Sequence, residues 1–300
     1  MIYMRTMRSR ALGMLTILAI VASACSAAPA AAPSSTAQAQ ATATAAPTPG
    51  KVSAIDRIKA AGALYVAIYS SAPLSYLDGG SNWVGAEADI VRQCASDKLG
   101  LAADKVFPII LPIAAMLPGL QSKRFDMVAG LSLNPARLQV ALATTHLHTW
   151  GSIVVFRKGD PLVKTVHSWD DLAKTGETLG LAAGVTDIAV AQAKGVPFKT
   201  YATTDLYVAD LLAGRVRVIL YGNLQLPTLI AQTNNQLEAP SPWTYEGFSG
   251  DAMYFNQDDK DLRDLFNDCI NTLKGNGKAV EILNKWNIAL DIPPAGPPPN

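Results

Sequence analysis

The sequence predicts an α/β protein in two lobes, with mostly parallel sheets covered by helices on both faces. Three observations predict it. Strand-like and helix-like runs alternate between residues 51 and 291, the alternation comes as two sets, and 300 residues are enough for two domains. Charges nearly cancel, with 25 Lys+Arg against 24 Asp+Glu, so there is no basic excess for phosphates and no nucleic-acid partner is expected. Three cysteines exclude a disulfide-stapled miniprotein and a four-cysteine zinc site.

The first set opens at 64–68, a β-rich run followed by a Pro/Ser/Gly loop to Gly80. Residues 87–99 carry apolar positions at helical spacing (Ile90, Val91, Cys94, Leu99) and stop at Gly100. A strand follows at 106–111, a helix at 113–122 despite Pro118, and a buried strand at 125–131. Asn134 caps a short helix with Pro135 at its first position. Another strand is expected at 153–156.

The second set begins where Ser168 caps a helix through Leu172. Strands at 178–182, 198–201 and 216–221 alternate with helices at 187–194, 204–213 and 224–232. A strand at 252–255 and two helices at 260–274 and 278–286, meeting at Gly275-Asn276-Gly277, complete the pattern.

The ends read differently. Arg5, Arg8 and Arg10 precede an apolar run over 11–21, too short to span a bilayer, and then Ala22-Ser23-Ala24. Residues 1–24 are therefore read as an export signal. Small residues directly before Cys25 resemble the lipobox of bacterial lipoproteins, which implies that Cys25 is lipidated and becomes the first residue. Cleavage at Ala-Ser-Ala without lipid is the alternative. Residues 26–50 hold only Ala, Pro, Ser, Thr, Gln and one Gly, too little apolar surface to offset ordering, and are read as a tether. Residues 293–300 form a Pro-rich tail.

Catalytic signatures are missing: there is no GxGxxG after a strand, no GxxxxGK[ST], no GxSxG and no HExxH. His146 and His148 share a strand face, but no acid or cysteine lies near them in sequence, so neither metal nor cofactor is expected. Asp170-Asp171 and Asp258-Asp259 open helices, where carboxylates favour the positive end of the dipole. Cys94 and Cys269 lie on apolar helix faces, as buried thiols or, after export, as a possible disulfide if adjacent.

The ordered segments together resemble bacterial extracellular solute-binding proteins of family 3, the capture components of polar amino acid ABC transporters. The motifs are Leu64-Tyr65-Val66-Ala67 with Val84-Gly85-Ala86-Glu87-Ala88-Asp89, and Leu117 to Asp126 as "L-x-x-L-x-x-G-x-x-D". Ser132 to Arg137 resembles "T/S-x-T-x-x-R", Leu179 to Thr186 resembles "V-G-V-x-x-G-T-T", and Lys274 to Trp286 resembles the closing "K-x-D-G-T … K-W". The resemblance spans about residues 55–290. It implies a type II periplasmic-binding-protein fold with two crossover strands as hinge, near Gly151 and Gly247. Lobe one is expected at 51–151 and 247–292, and lobe two at 152–246.

The resemblance also implies site residues. Arg137 would fork onto a ligand carboxylate, helped by Ser132 and the backbone at Gly130. Gly184, Val185 and Thr186 would offer N–H groups from lobe two. The family's ammonium-binding Asp falls near Gly222-Asn223 here, another of its acids is Arg217, and the lobe-one Asp aligns with Tyr69. Tyr69 and Asn223 are thus expected as neutral partners, and the ligand as a carboxylate-bearing solute whose other end is neutral or weakly basic. The implied partners are a permease, which docks the closed form, and the membrane, through the lipid anchor. A monomer is expected. Two other classes fit the pattern: a periplasmic enzyme like the cyclohexadienyl dehydratases, and a sensor or scaffold with a degenerate pocket.

Overall fold

The computed structural model describes residues 52–246, 249–288 and 299. The expected export signal, Cys25, the expected tether, all of the Pro-rich tail but residue 299, and the expected hinge position Gly247 lie outside the described residues. In chain order the first elements are α1 (Ala54–Ala61), β1 (Leu64–Ile68), β2 (Tyr76–Leu77), β3 (Trp83–Val84), α2 (Ala86–Cys94), β4 (Val106–Ile110) and α3 (Ile113–Gln121). They continue with β5 (Met127–Ser132), α4 (Pro135–Leu138), β6 (Leu142–Ala143) and β7 (His148–Trp150). A second group follows: β8 (Ser152–Arg157), α5 (Trp169–Thr175), β9 (Leu179–Ala182), α6 (Asp187–Ala193), β10 (Phe198–Tyr201), α7 (Thr204–Leu212), β11 (Val218–Gly222), α8 (Leu226–Gln232) and β12 (Leu237–Glu238). The described chain closes with β13 (Ser249–Phe255), α9 (Lys260–Gly275) and α10 (Lys278–Lys285).

Two sheets define the two lobes. The first runs β4-β1-β5-β13-β6, with β7 also paired to β13; the second runs β10-β9-β11-β8-β12. In both, the helix-connected strands are parallel: β4-β1-β5 in one and β10-β9-β11 in the other. Antiparallel pairing enters with β13 against β5 and with β8 against β11. The expectation of mostly parallel sheets thus holds for the strands that helices connect. It misses the crossovers, because a strand that returns from the other lobe is free of the parallel βαβ constraint.

Local sequence explains the main elements. Helix α9 buries Leu262, Phe266, Cys269, Ile270 and Leu273, an apolar stripe at helical spacing, and packs on α2 and β13. Cys94 of α2 and Cys269 of α9 form a disulfide across this contact. Ser168 accepts from the backbone N–H of Asp171, while the Asp171 carboxylate accepts from Ser168 Oγ and from the His167 N–H, which caps α5. Helix α3 tolerates Pro118 late in its length, where one backbone bond is lost. Strand β13 begins at Ser249, three residues before the expected start, and so brings Asp251 into the sheet opposite Ser132 of β5 and His148 of β7.

A cleft between the two sheets

A cavity of about 100 Å³ lies where the two sheets face each other. Its walls come largely from the carboxyl ends of parallel strands and the residues just beyond: Tyr69 after β1, Ser132 at the end of β5, Ala182 at the end of β9 and Val185 beyond it, and Tyr221 in β11. That is where open α/β sheets offer a crevice. The lobes touch across it. The Tyr69 hydroxyl bonds Thr204 Oγ1, and Arg137 Nη2 donates to the Gly184 carbonyl at 2.8 Å. Gly184 has φ +88°, and a Cβ there would lie 3.0 Å from the Ala114 backbone nitrogen, so this approach of the lobes requires glycine.

Arg137 is fixed from its backbone outward. Asn134 Oδ1 accepts from the Arg137 N–H at 2.9 Å, and Pro135 sets the first turn of α4. The guanidinium reaches back to the Ser132 carbonyl through Nη1 at 2.6 Å. Tyr254 donates to that same carbonyl at 3.0 Å. Arg137 is 8% exposed; burial lowers its pKa, opposed by Tyr254 and Asp251, and the group stays a cation at neutral pH. Burial pushes the Tyr254 phenol up to about 12, against the pull of the Arg137 cation.

The cavity also holds carboxylates that sequence reading did not place there. Asp187, the first residue of α6, lines it with Ser152 and Thr186 hydrogen-bonded to its carboxylate, and Arg137 within electrostatic reach. Burial raises the Asp187 pKa, and those partners oppose the rise. Asp251 and Glu87 line the floor. Trp150 Nε1 donates to Asp251 Oδ1 at 2.9 Å, which leaves Oδ2 facing His148 Nε2 at 4.0 Å. His148 Nε2 is 3.5 Å from Glu87 Oε1. Burial raises the Glu87 pKa against the pull of His148. Burial alone would lower that of His148, but the two carboxylates carry it above its ordinary value. The absence of a negative partner in the pocket is therefore corrected, as is the isolation of His148. Antiparallel pairing brings in Asp251, and α2 brings in Glu87.

The remaining expected residues divide. Arg137, Ser132, Gly130, Tyr69 and Val185 reach the cavity wall. Gly184 meets Arg137 through its carbonyl rather than offering N–H groups. Thr186 is not on the wall; its hydroxyl contacts Asp187 at 3.5 Å, and the chain's own carboxylate stands where an anionic ligand was expected. Asn223 is not on the wall either. Its Oδ1 accepts from the Gly151 N–H at 3.0 Å and its own N–H donates to the Gly151 carbonyl, which ties the crossover instead. Arg217 is bound to Asp160 and Glu177 within lobe two. Aromatic cover comes from Tyr207, Tyr221 and Trp150, with burial holding both tyrosine phenols above their ordinary pKa.

One clue to the missed acids was present. Asp251 interrupts an apolar strand, Ser249–Phe255, and an acid inside a buried strand needs a partner.

Comparison with known proteins finds one matching family, and relatives in both sequence and structure. The family model for bacterial extracellular solute-binding proteins, family 3, matches residues 64–289. The probable amino-acid ABC transporter periplasmic-binding protein y4tE of Sinorhizobium fredii is 28% identical over 226 residues, covering 72% of this chain and 74% of that protein. The lysine/arginine/ornithine-binding periplasmic protein of Escherichia coli is 26% identical, over 72% of this chain and 83% of its own. Among solved structures, EhuB in complex with hydroxyectoine superposes with TM-score 0.72 at 25% identity, covering 78% of this chain and 92% of that one. A mutant of ArgBP from T. maritima gives TM-score 0.70 at 22% identity, over 79% of this chain and 100% of that one. With three quarters of its length matched in one piece, and with the two-sheet architecture those structures share, this chain belongs to the bacterial extracellular solute-binding proteins, family 3.

Proposed function

We propose that the chain is the capture component of an ABC importer and binds a small zwitterionic, amino-acid-like solute in the cleft. One observation carries the reading: a buried guanidinium from lobe one (Arg137) and a carboxylate from lobe two (Asp187) share one cavity. A solute carboxylate would replace the Gly184 carbonyl on Arg137, because two parallel N–H bonds match a carboxylate better than one neutral acceptor. The solute's cationic end would face Asp187, with the faces of Tyr207 and Tyr221 beside it. A ligand held by one charge from each lobe favours closure, and the closed form would dock on the permease.

The expected preference for a ligand with a neutral far end gives way to this reading, because the acids are there. The relatives support the class: one is named for lysine, arginine and ornithine, another structure holds hydroxyectoine, and a third is described as a receptor for L-cysteine. A thermal-shift screen with arginine, lysine, ornithine, glutamine, cysteine and hydroxyectoine tests it. At least one should raise Tm by several degrees at millimolar concentration. A flat screen would contradict the proposal. We further propose export through residues 1–24, lipidation at Cys25, and residues 26–50 as tether. Among the described residues no helix is long and apolar enough to cross a membrane. Cys25→Ser should release the protein into the medium; a mature protein of unmodified mass would refute lipidation.

A further inference from the structure

Beneath the solute site, Glu87, His148 and Asp251 converge from three parts of the chain. Each offers one ligand atom, and these atoms all lie within 4.8 Å of one another. Glu87 is 3% exposed, His148 0% and Asp251 5%. Glu87 Oε1 and both ring nitrogens of His148 are buried with no hydrogen bond of ordinary geometry, Nε2 and Oε1 facing each other at 3.5 Å. Two buried carboxylates beside one imidazole are costly unless something compensates them, and orphaned buried polar atoms call for a missing partner.

We propose that this cluster is a binding site for a divalent first-row transition ion such as Zn²⁺ or Mn²⁺, held by Glu87 Oε1, His148 Nε2 and Asp251 Oδ2. The distances fit. Ligand atoms about 2.0–2.2 Å from a tetrahedral ion stand about 3.4 Å apart. Nε2 is 3.5 Å from Glu87 Oε1 and 4.0 Å from Asp251 Oδ2, and all three ligand atoms lie within 4.8 Å of one another, so the side chains would draw together around the ion. One imidazole and two carboxylates suit a borderline or hard divalent ion. Asp251 is oriented by an outer contact, since Trp150 Nε1 occupies Oδ1 and directs Oδ2 inward.

The surroundings are shaped for it. Gly130 has φ +70°, and a Cβ there would lie 2.2 Å from Glu87 Oε2, so glycine leaves the room the carboxylate occupies. Glu87 and Asp251 both line the cavity, so the fourth position of the ion would open toward the solute. Three protein ligands and one open position are the arrangement of zinc sites that engage small molecules. The site stands independently of the solute reading, since it uses neither Arg137 nor Asp187.

The test uses the metals alone. Purified protein is stripped with chelator, dialysed against Zn²⁺ or Mn²⁺, and assayed for metal per chain by mass spectrometry. Calorimetry gives affinity, and Co²⁺ loading gives a ligand-field spectrum. The expected result is one ion per chain, with affinity falling about tenfold or more in Glu87→Gln and in Asp251→Asn, and no change in His167→Ala. Circular dichroism verifies that the near-isosteric variants are folded. No stoichiometric metal, or metal retained at full affinity in both carboxylate variants, overturns the site. In either of those cases a positive amino acid screen would leave the solute reading intact.

Discussion

Asp187→Asn isolates the charge on which the zwitterion reading depends. The substitution keeps the shape and an acceptor for Ser152 and Thr186 but removes the charge facing the cavity. Asp187 is half-buried and hydrogen-bonded, so a solute ammonium at its carboxylate makes a charge-assisted contact worth about 1.5–3 kcal/mol. That is a loss of roughly ten- to over a hundredfold in affinity. Calorimetry with the best free amino acid and its N-acetyl form makes a double cycle. In the wild type, acetylation should cost about the same 1.5–3 kcal/mol. In Asp187→Asn it should cost almost nothing, because the charge that recognised the ammonium is gone. An equal acetylation penalty in both proteins would refute the role given to Asp187 and move the cation to another acid.

Three further outcomes follow from the packing. Gly130→Ala forces a side chain into the left-handed region and onto Glu87, so denaturant melts should show a loss of about 2–5 kcal/mol; an unchanged midpoint would contradict the tight contact. The Cys94–Cys269 disulfide spans 175 residues, and replacing both cysteines with serine should cost about 2–5 kcal/mol in the same assay, with a neutral effect as the contrary result. Asp210 accepts from Tyr201, Arg215 and Lys199, which hold its carboxyl well below the usual range. A depressed acid stabilises the fold above its unfolded pKa of about 4, and this is lost as pH falls further. The Tm gap between wild type and Asp210→Asn should therefore be widest near neutral pH and narrow in acid; a constant gap would refute it.

The fold was legible because its signals are local. Alternating strand and helix runs, the Asn134-Pro135 start and the apolar stripe on α9 each act within a dozen residues. Arg137 was legible for the same reason, since a capped turn carries it. The floor of the cleft was not. Asp251 meets His148 only because β13 returns antiparallel from the other lobe, and Glu87 reaches them only through the packing of α2 beneath β5. Such partners are set by topology, which neighbouring residues do not encode. Asn223 failed for a related reason. Its side chain is held by the Gly151 backbone and does not reach the cavity wall. Asp187 lay in plain view as a helix-opening acid, yet its place inside the cavity depends on where the lobes meet.

The central claim is that one solute is held in this cleft through Arg137. Calorimetric titration of wild type and Arg137→Ala with the amino acid that shifts Tm most tests it directly. The guanidinium's contacts to the Ser132 and Gly184 carbonyls mark the position a solute carboxylate would take. The account predicts one site per chain in the wild type and a loss of about 1.5–3 kcal/mol, roughly ten- to over a hundredfold, in the variant. Binding of equal strength in a folded Arg137→Ala protein would contradict it.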